Sequence, residues 1–200
     1  MEVEFRINGV IKSLDVAANE SLLAALRREG YYSVKHGCET GECGACTVLI
    51  DGMPRPACVT FAAQVGGCTL TTVESLGTSD ALHPLQQAFV DSGAVSCGFC
   101  IPGMLLSAYT LLRQNPNPDE EAVRDALSGN LCRCTGYAKP VQAVMRAASV
   151  MRGEPVEMTE AVRAERGIDA VKLVTGKAGF VDDIEPVSYT HLRAHETGRN

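Results

Sequence analysis

Eight of the nine cysteines in this 200-residue chain fall into two sets of four, and their spacing limits the fold more than any other feature. The first set has the pattern C-x4-C-x2-C-x11-C and comprises Cys38, Cys43, Cys46 and Cys58. The second set has the pattern C-x2-C-x31-C-x-C and comprises Cys97, Cys100, Cys132 and Cys134. Four thiolates are what a structural zinc ion or a 2Fe-2S cluster takes from a protein. We therefore expect the chain to fold so that each set converges on one metal centre.

The composition indicates that these cysteines bind metal rather than form disulfides. The amino terminus, Met1-Glu2-Val3-Glu4-Phe5, is acidic where a secretory signal is basic and then apolar, which predicts a cytoplasmic protein with reduced thiols. A net charge of −6 offers no basic surface for nucleic acid, and no apolar run approaches the ~20 residues of a membrane span. An apolar fraction of 46% predicts one or two domains with a hydrophobic core.

The first set matches the plant-type arrangement of a 2Fe-2S cluster, in which C-x4-C-x2-C precedes a distant fourth cysteine. Gly37, Gly41 and Gly44 lie around its first three cysteines. Glycine accepts positive φ, so a loop can wrap closely and point its backbone N–H groups toward sulfur. The alternatives are a zinc knuckle or four buried thiols. Structural zinc usually takes its ligands as two close pairs, and packing alone requires no glycines here, so the residues favour iron and sulfide.

The second set consists of two close pairs, so its spacing alone fits either zinc or a 2Fe-2S cluster. Cys97 and Cys100 precede one predicted helix, and Cys132 and Cys134 precede another. Helix amino termini offer unpaired N–H groups and a positive dipole end, which favour an anionic cluster. The ninth cysteine, Cys68, is expected to be a buried small residue without a function.

Residues 1–77 have the pattern of a small α+β domain. Val3, Phe5 and Ile7 alternate with polar residues before an Asn-Gly turn and a second strand, which predicts a hairpin. A helical stripe then lies within residues 19–30. Further short strands are predicted at residues 47–50, 57–61 and 69–73.

From residue 78 the apolar positions repeat with the period of a helix. Four such stripes predict a compact all-α four-helix domain at residues 78–150, and they lie at residues 82–89, 104–112, 123–127 and 141–148. Residues 151–166 are polar and carry no sustained stripe, which is typical of a linker.

Three motifs together resemble the iron–sulfur part of the molybdenum hydroxylases, the xanthine dehydrogenase and aldehyde oxidoreductase family. They are Cys38-Glu-Thr-Gly-Glu-Cys43-Gly-Ala-Cys46, Cys97-Gly-Phe-Cys100 followed by Pro102-Gly103, and Gly129-Asn-Leu-Cys132-Arg-Cys134-Thr-Gly136-Tyr137. The likeness extends from residue 2 to the end of the helical domain and includes all eight cysteines. It implies a β-grasp ferredoxin-like domain with one 2Fe-2S cluster, followed by a four-helix domain with a second.

Residues 167–185 are similar to the opening of the family's molybdopterin-binding domain and would be its truncated start. The resemblance implies that the molybdenum ligands, the substrate pocket and the catalytic glutamate lie downstream, so no catalytic residue is expected in this stretch. The linker is too short for a flavin domain, which implies that FAD, if used, lies on a separate subunit. Residues 187–197 correspond to a translated sequencing adapter, so we expect residues 186–200 to be a non-native tail and the gene to be interrupted near Glu185.

The resemblance also implies contacts to the pterin from the helical half. The family usually has glutamine before the first cysteine of the second set, and this chain has Ser96 there. A hydroxyl reaches less far than an amide, so Ser96 would bind the pterin only at short range or through a water. The alternative is that Ser96 caps a helix. Gly98 and Cys134 are the other positions expected near the pterin.

The function that the resemblance implies is an electron relay within a molybdenum-dependent hydroxylase or dehydrogenase. Molybdenum would oxidise a purine, an aldehyde or another heterocycle, and electrons would pass through the helical-domain cluster and then the ferredoxin-like cluster to a flavin subunit or an external acceptor. His36 and His83 are isolated in the sequence and are expected to be structural. Two alternatives remain: a separate two-cluster electron-carrier subunit, and a zinc-stabilised interaction module.

Overall fold

The computed structural model describes residues 1–156 and 167–184, which form a five-stranded sheet with a covering helix, a four-helix bundle and a short last helix. The strands are β1 (Glu2–Ile7), β2 (Val10–Asp15), β3 (Thr47–Ile50), β4 (Met53–Pro56) and β5 (Thr69–Thr71). The helices are α1 (Leu22–Arg28), α2 (Pro84–Asp91), α3 (Ile101–Gln114), α4 (Glu120–Leu127), α5 (Ala138–Met151) and α6 (Ala170–Val174). Among these residues, no helix has both the length and the apolar character to cross a bilayer.

The predicted hairpin is confirmed and forms one side of a mixed sheet. The strand order is β2-β1-β5-β3-β4, in which β1 and β5 run parallel and the other neighbours run antiparallel. Ile7 pairs with Val10 across Asn8 and Gly9, whose φ values of 49° and 85° are those of a turn that matches strand twist. The three alternating apolar residues of β1 are all buried, so one face of the sheet meets the core.

The helix that covers the sheet begins and ends where its sequence signals stand. The Ser21 side chain accepts a hydrogen bond from the backbone N–H of Ala24 at 3.1 Å and caps α1. Gly30, with φ of 86°, turns the chain away after the helix. Leu22 and Leu26 are fully buried against the sheet core, so α1 holds the loop that follows it in a fixed place.

The strand predicted at residues 57–61 is wrong. The strand is β4, and Ala57–Val59 forms a turn of 3-10 helix instead. Pro54 and Pro56 are residues that normally disfavour a strand. They are tolerated in β4 because it pairs only with β3 at the edge of the sheet, where a proline nitrogen needs no partner. The 3-10 turn then carries Cys58 back toward β3, because the N–H of Ala57 bonds the carbonyl of Cys46 at 3.2 Å.

The four predicted helices of the second half are confirmed as α2 to α5. Pro102 and Pro140 lie in the first turns of α3 and α5, where a missing N–H costs nothing. The helices bury a core of their own, separate from the core of the sheet, and its large members include Leu85, Phe89, Met104 and Leu105.

The last described segment packs on this scaffold. Ala170 and Val174 of α6 belong to the helical core, and the side chain of Gln86 donates to the carbonyl of Val174 at 2.9 Å. Most of the predicted linker and the whole predicted tail at residues 186–200 lie outside the described residues.

Candidate iron–sulfur centres

The first cysteine set converges around the loop that joins α1 to β3. The backbone N–H groups of Thr40 and Cys43 point at the sulfur of Cys38, at 3.5 and 3.4 Å. The thiol of Cys46, immediately before β3, lies close to those of Cys58, in the 3-10 turn, and of Cys43. All four cysteines predicted for this set are therefore in one place, and they approach each other as two pairs.

The glycines of this loop act as predicted in two cases and differently in the third. Gly41 and Gly44 have φ of 82° and 65°, the left-handed region in which glycine is unstrained. Gly37 does not have a positive φ; a Cβ there would lie 2.7 Å from the sulfur of Cys43. The loop therefore needs a glycine at this position because the cysteine sulfur occupies the space of a side chain.

The thiols of the first set differ in how readily they ionise. Hydrogen bonds from Thr40, and then from the backbone of Cys43, lower the pKa of Cys38 to about 6. Burial raises the pKa of Cys46 to about 12, against a backbone hydrogen bond from Cys58 that acts to lower it. A bound metal would supply the positive charge that a buried thiolate needs, since metal ligation requires the deprotonated form.

The second set lies where α3 and α5 begin. Cys100 is the N-cap of α3, and the sulfur atoms of Cys97 and Cys134 lie 3.7 Å apart. The sulfur of Cys132 accepts hydrogen bonds from the N–H groups of Cys134 and Thr135, both at 3.4 Å. The Thr135 hydroxyl lies 3.2 Å from the same sulfur. The amino terminus of α3 lies at this set as expected, whereas the N–H donors to Cys132 come from the loop before α5 and not from the first turn of that helix.

Burial and hydrogen bonding act in opposite directions on these thiols. Burial raises the pKa of Cys100 and, less strongly, that of Cys97. Burial also acts to raise the pKa of Cys132, but the hydrogen bonds from Thr135 and Cys134 lower it below the ordinary value. Within the second set, the sulfur of Cys132 accepts the most hydrogen bonds, and these stabilise its thiolate form.

The donor geometry fits a 2Fe-2S cluster in both places. All nine cysteines are free thiols, and the eight in the two sets approach as Cys38 with Cys43, Cys46 with Cys58, Cys97 with Cys134, and Cys100 with Cys132. Within the two described ranges, no three potential ligand side chains converge on a single metal ion. Zinc takes four ligands on one ion, whereas each iron of a 2Fe-2S cluster takes two thiolates. The ninth cysteine, Cys68, is partly buried beside the sheet core.

A buried amide that the sequence analysis missed joins the two loops. Asn130 is 2% exposed, and its side-chain amide donates to the carbonyl of Gly44 at 3.0 Å and approaches the hydroxyl of Thr47 at 3.3 Å. The hydroxyl of Ser107 on α3 donates to its Oδ1 at 2.7 Å. Asn130 lies inside the third motif, between Gly129 and Cys132, and that placement was the available signal.

The backbones of the two loops also touch directly. The N–H of Leu131 donates to the carbonyl of Cys43 at 2.9 Å, which links the neighbour of Cys132 to a cysteine of the first set. Gly103 of α3 packs so closely that a Cβ there would lie 2.3 Å from the carbonyl oxygen of Gly44. The two cysteine sets are therefore held by one continuous hydrogen-bonded contact.

The three positions expected near a pterin lie within or beside the second cysteine set. Ser96 and Cys134 are exposed, and Ser96 lines a cavity of about 590 Å³ together with Cys97 and residues of the last segment. The alternative that Ser96 caps α3 is wrong, because the helix begins only at Ile101, after Cys100. Gly98 is buried under the side chain of Leu173.

The two isolated histidines have local partners. The ring Nδ1 of His83 accepts from the N–H of Leu85 at 3.1 Å and caps α2, and burial lowers its pKa. His36 lies 3.0 Å from Glu39 and 3.6 Å from Asp182, which raise its pKa against the effect of burial. The structural role of both histidines stays a prediction.

Two family comparisons cover most of the chain. Residues 5–67 match the 2Fe-2S iron-sulfur cluster binding domain, and residues 72–145 match the 2Fe-2S binding domain. The nicotine 6-hydroxylase small subunit of Paenarthrobacter nicotinovorans is 48% identical over 148 residues, which are 74% of this chain and 89% of that protein.

Two solved structures are similar to the chain in different ways. The aldehyde oxidoreductase from Desulfovibrio gigas superposes with a TM-score of 0.85 at 41% identity, over 92% of this chain and 22% of that one. Quinoline 2-oxidoreductase from Pseudomonas putida 86 superposes with a TM-score of 0.72 at 43% identity, over 78% of this chain and 98% of the matched chain. The same scaffold thus occurs as part of a long chain and as a chain of its own.

Proposed function

The chain belongs to the two-cluster iron–sulfur proteins of the molybdenum hydroxylases, and on that basis we propose that it is the electron relay of such an oxidoreductase. The observation that carries the proposal is the contact between the two cysteine loops, in which the N–H of Leu131 bonds the carbonyl of Cys43. Two four-cysteine sets joined by a direct hydrogen-bonded contact suit the transfer of electrons from one redox centre to the next.

Each cysteine set would hold one cluster. We assign the first 2Fe-2S cluster to Cys38, Cys43, Cys46 and Cys58, and the second to Cys97, Cys100, Cys132 and Cys134. When bound, a 2Fe-2S cluster accepts and releases one electron at a time. The protein contributes N–H donors that stabilise negative charge on Cys38 and Cys132, and buried positions at Cys46 and Cys100 that keep water from the sulfur.

The exposure of the two centres gives the relay a direction. Cys97 and Cys134 of the second set are exposed beside the cavity that Ser96 lines, so we place the molybdopterin of the partner unit on this side. Ser96 and Cys134 are the residues we propose to face the pterin, and Gly98 would support them from beneath Leu173. At the first centre, the loop around Cys38 is exposed to solvent. A flavin subunit carrying FAD or an external acceptor would approach there.

The partner carries the active site in this proposal. The relatives are named for nicotine, aldehyde and quinoline chemistry, yet all contain this scaffold. We therefore assign the choice among aldehyde, purine and other heterocyclic substrates to the molybdopterin-binding unit. Whether that unit continues this chain or is a separate polypeptide, the relay residues are the same, since both arrangements occur among the relatives.

Metal analysis and a reductive titration test the proposal together. The full chain, purified anaerobically, should contain four irons and four sulfides per molecule, absorb visible light, and take up two electrons as the absorbance bleaches. Stoichiometric zinc in a colourless protein would instead support the interaction module, because zinc is d10 and has no visible transitions.

A further inference from the structure

Residues 167–184 cross from the helical half to the sheet half, and each end is anchored. At the first end, Ala170 and Val174 are 2% and 0% exposed within the helical core. The fully buried side chain of Gln86 donates to the carbonyl of Val174 at 2.9 Å. The segment therefore completes the core of the four-helix bundle rather than lying loosely on its surface.

The middle of the segment fits closely between the halves. Leu173 covers Gly98 so tightly that a Cβ on this glycine would lie 2.3 Å from the leucine side chain. Gly176, with φ of 74°, lies where a Cβ would come within 2.7 Å of Ser33 and 2.8 Å of Val73. Position 176 therefore requires glycine, because both the positive φ and the lack of space exclude a side chain.

At its second end, the segment forms ion pairs between one carboxylate and two cationic side chains of the sheet half. Asp183 accepts from the ammonium of Lys35 at 2.9 Å and from the guanidinium of Arg27 at 3.0 Å, and its side chain is 6% exposed. The backbone N–H of Phe180 donates to the same carboxylate at 2.8 Å. These donors hold the pKa of Asp183 below its ordinary value although burial acts to raise it.

Lys35 is a buried cation of the sheet half whose charge is paired by residues of the segment. The residue is 1% exposed, and in the described part of the chain its ammonium group contacts Asp183 and the ring of Phe180, 4.3 Å from the ring centroid. Both partners belong to the segment. A buried cation without its counter-ion is strongly destabilising, so the sheet half holds a charge that the segment neutralises.

The iron–sulfur scaffold occurs among the relatives both within a longer chain and as a chain of its own. The quinoline 2-oxidoreductase chain is matched over 98% of its length by 78% of this chain, whereas the aldehyde oxidoreductase is a much longer chain. Where the two parts of such an enzyme are separate polypeptides, contacts of this kind have to hold them together without a peptide link.

We propose that residues 167–184 are a docking element that attaches the molybdopterin-carrying polypeptide to the iron–sulfur part, with Asp183 recognised by Lys35 and Arg27. Recognition then survives cutting of the chain between residues 156 and 167. The identity of the polypeptide that bears the element rests on the proposed function, but the docking itself rests only on these contacts.

A cleavable form of the full chain tests the proposal. A protease site is placed within residues 157–166, the cluster-loaded protein is cut, and the two pieces are separated by size-exclusion chromatography at micromolar concentration. We expect the fragment that begins in the cut linker to elute with residues 1–156, and to be released by a large excess of a synthetic peptide of residues 167–184. Immediate separation of the pieces, while the larger one keeps its iron, would overturn the proposal.

A matched pair of variants identifies the recognised carboxylate. Asp183→Asn should raise the dissociation constant of the fragment on the order of 30-fold or more, because a buried charge then loses its partner. Asp169→Asn removes the same charge from the same segment at a side chain that is 66% exposed, so the fragment should stay bound. Equal weakening by both variants would contradict specific recognition of Asp183.

A second change guards against a fold defect. Lys35→Met combined with Asp183→Asn should bind more tightly than Asp183→Asn alone, since no unpaired charge remains. Iron content and visible absorbance are followed in every variant. A colourless protein whose fragment still docks would contradict the electron relay and leave the docking element intact, so the two proposals fail separately.

Discussion

The two cysteine sets reach the same arrangement by different routes. Three of the four cysteines of the first set lie within residues 38–46, so one glycine-rich loop brings them together locally. The second set joins two pairs that are 31 residues apart, and tertiary packing, including the contacts of α4 with α3 and with α5, brings them together. The comparison shows that a local loop and a tertiary contact can build equivalent centres, but with unequal dependence on the rest of the fold.

The donors to sulfur differ in the same way. In the first set, backbone N–H groups within the loop point at Cys38. In the second set, Cys132 receives a threonine hydroxyl in addition to two backbone N–H groups. Hydrogen bonds to sulfur and burial tune the potential of an iron–sulfur cluster, so we expect the two centres to differ in potential and in spectrum.

The largest expected effect is the loss of one cluster at a time. Cys43→Ser should remove the signal of the first centre and leave the second, and Cys132→Ser should do the reverse, because each set has its own four thiols. Electron paramagnetic resonance of the reduced variants, with iron content, measures the losses. If either single change removed both signals while the fold persisted, the division into two sets would be wrong.

A core truncation in α4 tests whether the second centre depends more on tertiary packing. Leu127 is 1% exposed, and its replacement by alanine should lower the free energy of unfolding by about 2–5 kcal/mol. Because α4 contacts both α3 and α5, the second centre should be lost at lower denaturant than the first. Leu131→Ala, at a residue that is 55% exposed, is the control and should change stability by less than about 0.5 kcal/mol. Simultaneous loss of both centres in Leu127→Ala would contradict the prediction that the second centre depends more on tertiary packing than the first.

A smaller effect is expected where the halves meet. Gly103→Ala puts a methyl group 2.3 Å from the carbonyl of Gly44 and should cost about 1–3 kcal/mol, although alanine normally favours a helix. Gly129→Ala is the matched control, since no atom lies within 4 Å of its Cβ position. Chemical denaturation of both variants measures the difference. A neutral Gly103→Ala would mean that the two loops do not hold each other in place.

The smallest effect concerns Ser96 in the complete enzyme. Ser96→Ala should cost about 1 kcal/mol of pterin binding if one hydrogen bond is lost, and Ser96→Gln should be tolerated or tighten the contact. The exposed position predicts no change in the stability of the iron–sulfur part itself. Molybdenum content and the rate of cluster reduction by substrate measure the effect. Values unchanged from the unsubstituted enzyme in both variants would show that other residues hold the pterin.

The sequence predicted the elements whose signals are local. The hairpin at Asn8 and Gly9, the helical stripe within residues 19–30 and the four helical stripes of the second half depend on turn chemistry and period, and all are present. The strand predicted at residues 57–61 is wrong because the strand lies at Met53–Pro56, where two prolines are tolerated only because β4 is at the edge of the sheet. Gly37 likewise depends on a sulfur atom six residues away, not on its own backbone angle.

The contacts between distant residues could not be predicted in this way. The bonds from Asn130 to Gly44 and from Asp183 to Lys35 join residues 86 and 148 positions apart, and no periodic signal spans such separations. Cysteines are different, because metal chemistry restricts which spacings occur. The candidate centres were therefore predictable from sequence, whereas the amide and the ion pair that hold the parts together were not.

The central claim, that one rigid scaffold carries two distinct 2Fe-2S centres, is tested most directly by electron paramagnetic resonance of the fully reduced, anaerobically purified chain. The account predicts two different signals, each integrating to one spin per molecule, with four irons per chain. A single signal, or a silent protein that contains stoichiometric zinc, would contradict it.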